Sequence, residues 1–139
     1  MSVVTDKVLG AIPDPALRVD LVWVPVLDED ERPSAEVAAG RVRDSRVRQW
    51  WDEGRKLGDA LGEVLRIPRR DGEPGFGFAW DVYLVYAPGT RWTAGAPPPA
   101  PDFWTHQLSQ VDPAIAPLRD GEQLRDQLRA RLTGTAPRP

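Results

Sequence analysis

Apolar positions along the chain fall into short runs separated by proline and glycine. Residues 18–27 form the densest run. There Val19, Leu21, Val22, Trp23, Val24 and Val26 leave almost no polar alternation, the pattern of a strand covered on both faces. Pro25 lacks an amide donor and loosens that strand near its carboxyl end. Ahead of it, residues 5–12 read as a short helix ended by Pro13 and Pro15. Behind it, an acidic turn at residues 28–31 leads to Pro33, which suits a first helical position. That helix is expected to run to about Val42 and to stop near residues 40–43. Residues 45–51 predict a short strand, with Val47 alternating against Arg46 and Arg48.

The clearest helical pattern covers residues 53–65, where Leu57, Ala60, Leu61, Val64 and Leu65 make one apolar stripe. A loop with Pro68, Asp71-Gly72 and Pro74-Gly75 follows. Residues 78–86 are the best strand, with Trp80, Val82, Leu84 and Tyr86 on one face and Asp81, Tyr83 and Val85 on the other. Pro88-Gly89 is a turn dipeptide, so residues 90–93 are expected to pair back as an antiparallel hairpin. After the prolines at 97–99 and 101, Asp102 stands where it would cap a helix starting at Phe103, with Trp104, Leu108 and Val111 along one side. Asp120 and Gln123 have capping-box spacing for a last helix presenting Leu124, Leu128 and Leu132 and stopping at Gly134. Residues 135–139 read as a loose tail. The order implies an α/β fold with parallel crossover units early and an antiparallel edge late.

Composition narrows the functions open to this scaffold. At 139 residues the chain is one ordinary domain, long enough to bury a core without staples. The sequence has no Cys, which excludes disulfides, thiolate nucleophiles and Cys-ligated zinc or iron–sulfur centres. A net charge of −3 gives no field that draws phosphate backbones. Between residues 41 and 56, Arg41, Arg43, Arg46, Arg48, Arg55 and Lys56 outnumber Asp44, Asp52 and Glu53. A solvated face is the preferred reading of that segment, and a nucleic-acid partner is not expected. No apolar run reaches the roughly 20 residues that span a bilayer. The first residues include Asp6 and Lys7 and lack a cleavable signal pattern. The expected location is the cytoplasm, with no membrane partner.

Candidate chemistry is sparse. His106 is the single histidine, so any Ser/His/Asp machinery would have to use it. No Gly-x-Ser-x-Gly elbow is present, and a structural His bonding a backbone carbonyl is the preferred reading. Asp81 lies in a strand expected to be buried, where an ionised acid needs a partner. Arg46, Arg48 or Arg91 would be that partner, and a general acid with a raised pKa is the functional alternative. A metal site at His106 with Asp81 or Asp102 has no supporting spacing, and neither a metal nor a cofactor is expected. The glycines Gly72, Gly75 and Gly77 precede a strand, the wrong context for phosphate binding. Of the six Trp, Trp23 and Trp80 read as core, whereas Trp50, Trp51, Trp92 and Trp104 are candidates for a binding surface.

Three stretches carry a family resemblance. Residues 21–27 followed by Asp28 resemble a strand ending in an acidic turn. Trp51-Asp52 precedes the helix with Leu57 and Leu61, and residues 81–92 hold Tyr83, Leu84, Val85 and Gly89. Ala79-Trp80-Asp81-Val82-Tyr83 together with Phe103-Trp104-Thr105-His106-Gln107-Leu108 also resembles a pattern of bacterial proteins of this type. Over residues 5–111 these are similar to thioredoxin-like redoxins, the group of peroxiredoxins and periplasmic thiol reductases. The resemblance implies a three-layer α/β sandwich on a mixed sheet with a C-terminal antiparallel hairpin. It makes residues 1–111 the thioredoxin-like domain and residues 112–139 a C-terminal helix with a flexible tail. The family's reactive cysteine is absent from the helix at residues 5–12. Its cis-proline is replaced by Phe78-Ala79-Trp80, and only residues 1–4 precede that helix to supply the family's first strand. Thiol oxidoreductase activity is therefore not expected. The expected function is non-catalytic: a protein-interaction or small-ligand-binding module, with a protein partner or a second copy of the chain. The alternative is a cysteine-independent enzyme using Asp81 and His106 as acid and base near an aromatic pocket.

Overall fold

The computed structural model describes residues 3–27 and 29–134. Asp28 of the acidic turn and the expected loose tail at residues 135–139 lie outside the described residues. A wide-turned helical segment (Val3–Leu9) opens the chain, closed by a Gly10 N–H bond to the Thr5 carbonyl five residues back. Then come β1 (Val19–Trp23), α1 (Arg32–Ala39), β2 (Val47–Trp51), α2 (Lys56–Val64), β3 (Val82–Val85), β4 (Phe103–His106) and α3 (Gly121–Leu132). The class is α/β.

The strands form two separate pairs rather than the one mixed sheet expected from sequence. β1 and β2 run parallel with α1 as crossover, in the register Val19 opposite Val47 through Trp23 opposite Trp51. β3 and β4 run antiparallel, Val82 opposite His106 and Val85 opposite Phe103. Both pairs rest on one core. Val19, Leu21 and Val47 pack there with Tyr83, Val85 and Phe103, against Val4, Val8 and Leu9 of the N-terminal segment and Leu124 and Leu128 of α3. A second core covers the opposite face of the antiparallel pair only: Val82, Leu84 and Trp104 meet Leu57 and Leu61 of α2, with Ile67, Leu108 and Val111. The antiparallel pair is thus buried on both sides and the parallel pair on one.

Three expectations are corrected. Residues 103–106 are a strand, not a capped helix. Phe103 and Thr105 serve one core while Trp104 and His106 serve the other, and aromatic and β-branched side chains suit such a pleat. The Asp102 carboxylate instead accepts the Ala87 N–H at 2.5 Å, closing the base of the long loop between β3 and β4. Second, residues 90–93 form no strand. The Pro88-Gly89 turn does form, with Gly89 at φ +88 and Thr90 N–H on the Ala87 carbonyl, but the chain beyond stays exposed. Third, the run in β1 is covered on one face only, because Asp20 and Val22 point to solvent while Val19, Leu21 and Trp23 point inward.

Helix ends follow local chemistry. The Asp52 carboxylate accepts the N–H groups of Lys56, Leu57 and Gly58 at 3.0, 2.8 and 3.2 Å, closing the start of α2. Asp120 Oδ1 accepts Glu122 and Gln123 N–H at 2.8 and 3.3 Å, the cap its spacing predicts. α3 belongs to the first core and is tied to the N-terminal segment by Lys7–Glu122 at 2.9 Å.

Candidate functional site

His106 sits at the end of β4 with no solvent exposure. Leu108 N–H donates to its Nδ1 at 3.0 Å, and its Nε2 pairs with the Ala116 carbonyl at 3.0 Å. Since Nδ1 accepts, Nε2 carries the proton and donates it. Both ring nitrogens are occupied by backbone, and neither is free for a substrate. The ring also packs against Trp104, with centroids 5.6 Å apart.

Asp81 is exposed, contrary to the buried position expected of it. Its φ of +49 takes the backbone out of the strand conformation, so β3 begins one residue later. Its carbonyl accepts Gln107 N–H at 3.1 Å, just past the end of β4. The expected buried pairing with Arg46, Arg48 or Arg91 is therefore replaced by solvation. Arg46 pairs with Asp44 and Arg48 with Asp20.

The four Trp candidates occupy different environments. Trp50 is 53% exposed on the outer side of β2, and Trp51 is half-buried on the inner side with an indole N–H that is buried and unpartnered. Trp92 lies exposed in the long loop, edge-on to Tyr86 with centroids 5.7 Å apart. Trp104 packs into the second core. Among the described residues no group of three His, Asp or Glu is placed to hold a metal ion, and no helix is long and apolar enough to cross a membrane.

The uncovered side of the parallel pair gathers polar and aromatic groups in one place. Asp20, Val22, Arg48 and Trp50 alternate outward from the two strands. Arg48 grips the Asp20 carboxylate with two hydrogen bonds of 2.9 Å, and the Trp50 indole N–H donates to the same carboxylate at 2.9 Å. The guanidinium carbon lies 5.8 Å from the Trp50 ring centroid. Hydrogen bonds from Arg48 and Trp50 outweigh a desolvation cost and hold the Asp20 carboxyl below the usual range. The result is a flat platform whose charges are internally paired and whose indole faces solvent. Trp50 is legible in the sequence as a surface candidate, whereas Asp20 is hidden inside an apolar run. The legible signal was the matching outward position of Asp20 and Arg48 in two strands of parallel register.

The basic segment does not make a continuous stripe. Arg46 is held by Asp44 and by the Leu9 and Ile12 carbonyls, Arg48 by Asp20, and Arg55 lies over the Phe78 ring. Arg41 and Arg43 stay exposed beside a shallow groove with Thr5, Leu9 and Asp44.

No family model, curated protein or solved structure matches the chain.

Proposed function

We propose that this chain is a non-catalytic protein-interaction module of thioredoxin-like architecture that works by contact through the uncovered side of its parallel strand pair. The carrying observation is the outer side of the parallel pair, where Trp50 and Val22 stand 53% and 37% exposed around a fixed Asp20–Arg48 pair. Parallel strands are ordinarily covered on both faces, and exposed aromatic groups beside a paired Arg are typical of contact surfaces. The architectural part of the reading draws on a parallel βαβ unit followed by an antiparallel pair, with helices on two sides. A chain without sulfur nucleophiles has no thiol chemistry to offer on such a scaffold. A cytoplasmic location belongs to the same reading. Acid–base catalysis by Asp81 and His106 is disfavoured because both imidazole nitrogens are engaged by backbone.

A photo-crosslinking residue placed at position 50, in living cells, tests this. Covalent protein adducts are expected there, and far fewer with the same residue at Phe76, an exposed ring elsewhere on the surface. Equal labelling at the two positions, or none at position 50, contradicts the proposal.

A further inference from the structure

The outer edge of β2 carries no paired strand among the described residues. Val19 N–H donates to the Arg46 carbonyl and Asp52 N–H to the Trp23 carbonyl, at 3.0 and 2.9 Å. This fixes the alternation of the ladder: the even-numbered residues of β2 meet β1, and the amides of Gln49 and Trp51 point away. Among the described residues β1 is the only strand paired with β2. The edge of β4, by contrast, is closed by its own chain, with Arg119 N–H on the His106 carbonyl at 2.7 Å and Leu118 bridged to His106.

We infer that the occupant of this edge is a second copy of the chain, joined by antiparallel pairing of β2 with β2 about a two-fold axis through Gln49. The inference rests on the interaction-module reading and names its partner. Of the registers that keep the outward amides opposed, three centre on the middle residues of β2, and side-chain chemistry chooses among them. An axis at Arg48 sets two guanidinium groups against each other, which is repulsive. An axis at Trp50 sets Arg48 opposite Asp52, whose carboxylate is already bound by three amides of α2. An axis at Gln49 sets Arg48 opposite Trp50 of the second copy, twice by symmetry, and Val47 opposite Trp51. Arg48 uses its Nε and one terminal nitrogen on Asp20 and lies over the Trp50 ring of its own chain, which leaves its second terminal nitrogen to meet the indole of the second copy. Such an isologous contact closes on itself and extends two parallel pairs into one four-stranded sheet. Strand-edge contacts are small, so the association is expected to be weak and concentration-dependent.

The test is molecular mass by light scattering over a concentration series in the micromolar range, joined to residue-resolved amide exchange. The wild-type chain is expected to approach twice its 15.4 kDa mass, with protection of the Gln49 and Trp51 amides rising in step. Trp50→Lys places like charges opposite each other twice and is expected to raise the midpoint concentration about tenfold or more. Trp50→Phe, which keeps a ring, is expected to stay close to wild type. Circular dichroism verifies that both variants remain folded. A single-chain mass throughout, or a dimer in which Gln49 and Trp51 exchange freely, overturns the inference. Crosslinking from position 50 to a different protein, with a single-chain mass, overturns the second copy while leaving the interaction module standing. Absence of any adduct removes both.

Discussion

His106 illustrates how a residue with catalytic potential is used for structure. Its ring bridges Leu108 N–H and the Ala116 carbonyl, and so fastens the segment after β4 onto the strand. Replacing it with Phe keeps the volume but leaves that amide and carbonyl buried without partners, each costing about 1–3 kcal/mol. His106→Phe is expected to lose about 2–5 kcal/mol of unfolding free energy in urea titration, and an unchanged midpoint would contradict the geometry. Asp44 makes a pH-dependent counterpart. Hydrogen bonds from the Arg46 side chain, then from its backbone amide, bring the Asp44 carboxyl from 3.8 down to about 2. Because the folded value is depressed, the stabilisation is present above the unfolded value of 3.8 and is lost as pH falls towards 2. Arg46 also holds the Leu9 and Ile12 carbonyls, so protonation loosens the N-terminal segment from the core. In acid-unfolding curves Asp44→Asn is expected to be less stable than wild type at neutral pH, with the difference shrinking across that window. A constant difference at every pH would speak against the pairing.

Among the elements, α2 is set by a close backbone approach. A Cβ at Gly62 would stand 1.8 Å from the Gly77 carbonyl oxygen, and Ala79 N–H donates to the Gly58 carbonyl at 2.8 Å. Gly62→Ala therefore forces helix and loop apart and is expected to cost roughly 3 kcal/mol or more. Thermal unfolding measures it, and a variant as stable as wild type would refute this packing. The stripe of Leu57, Leu61 and Leu65 made α2 legible in sequence, as the Asp120 cap did for α3 and the alternation around Val47 did for β2. The strand at Phe103–His106 was not legible. Four residues after a proline segment carry no decisive period, and the partner that makes them a strand lies across the whole loop from Tyr86 to Asp102. Local turn chemistry at Pro88-Gly89 predicted an early return that tertiary packing overrode. The exposure of Asp81 was likewise hidden, because its left-handed backbone depends on where β3 starts.

For the whole molecule, the division into two strand pairs matters most. One core supports both pairs and a second supports only the antiparallel one, and this asymmetry leaves the Asp20–Arg48–Trp50 platform in solvent, while among the described residues no strand pairs with the outer edge of β2. Sequence could announce the missing cysteine, and Trp50 and Trp92 do stand exposed whereas Trp51 and Trp104 turn inward, but it could not announce which strand would lack a cover, since that depends on how the helices are shared between the pairs. Contact through this side is the central claim. Its most direct measurement is residue-resolved amide exchange on the dilute, isotopically labelled chain, before and after addition of concentrated unlabelled extract from its own cells. Slower exchange at Gln49 and Trp51, with a shifted Trp50 indole signal, is the predicted result. Unchanged signals there, with changes centred instead on Asp81 and His106, would contradict it.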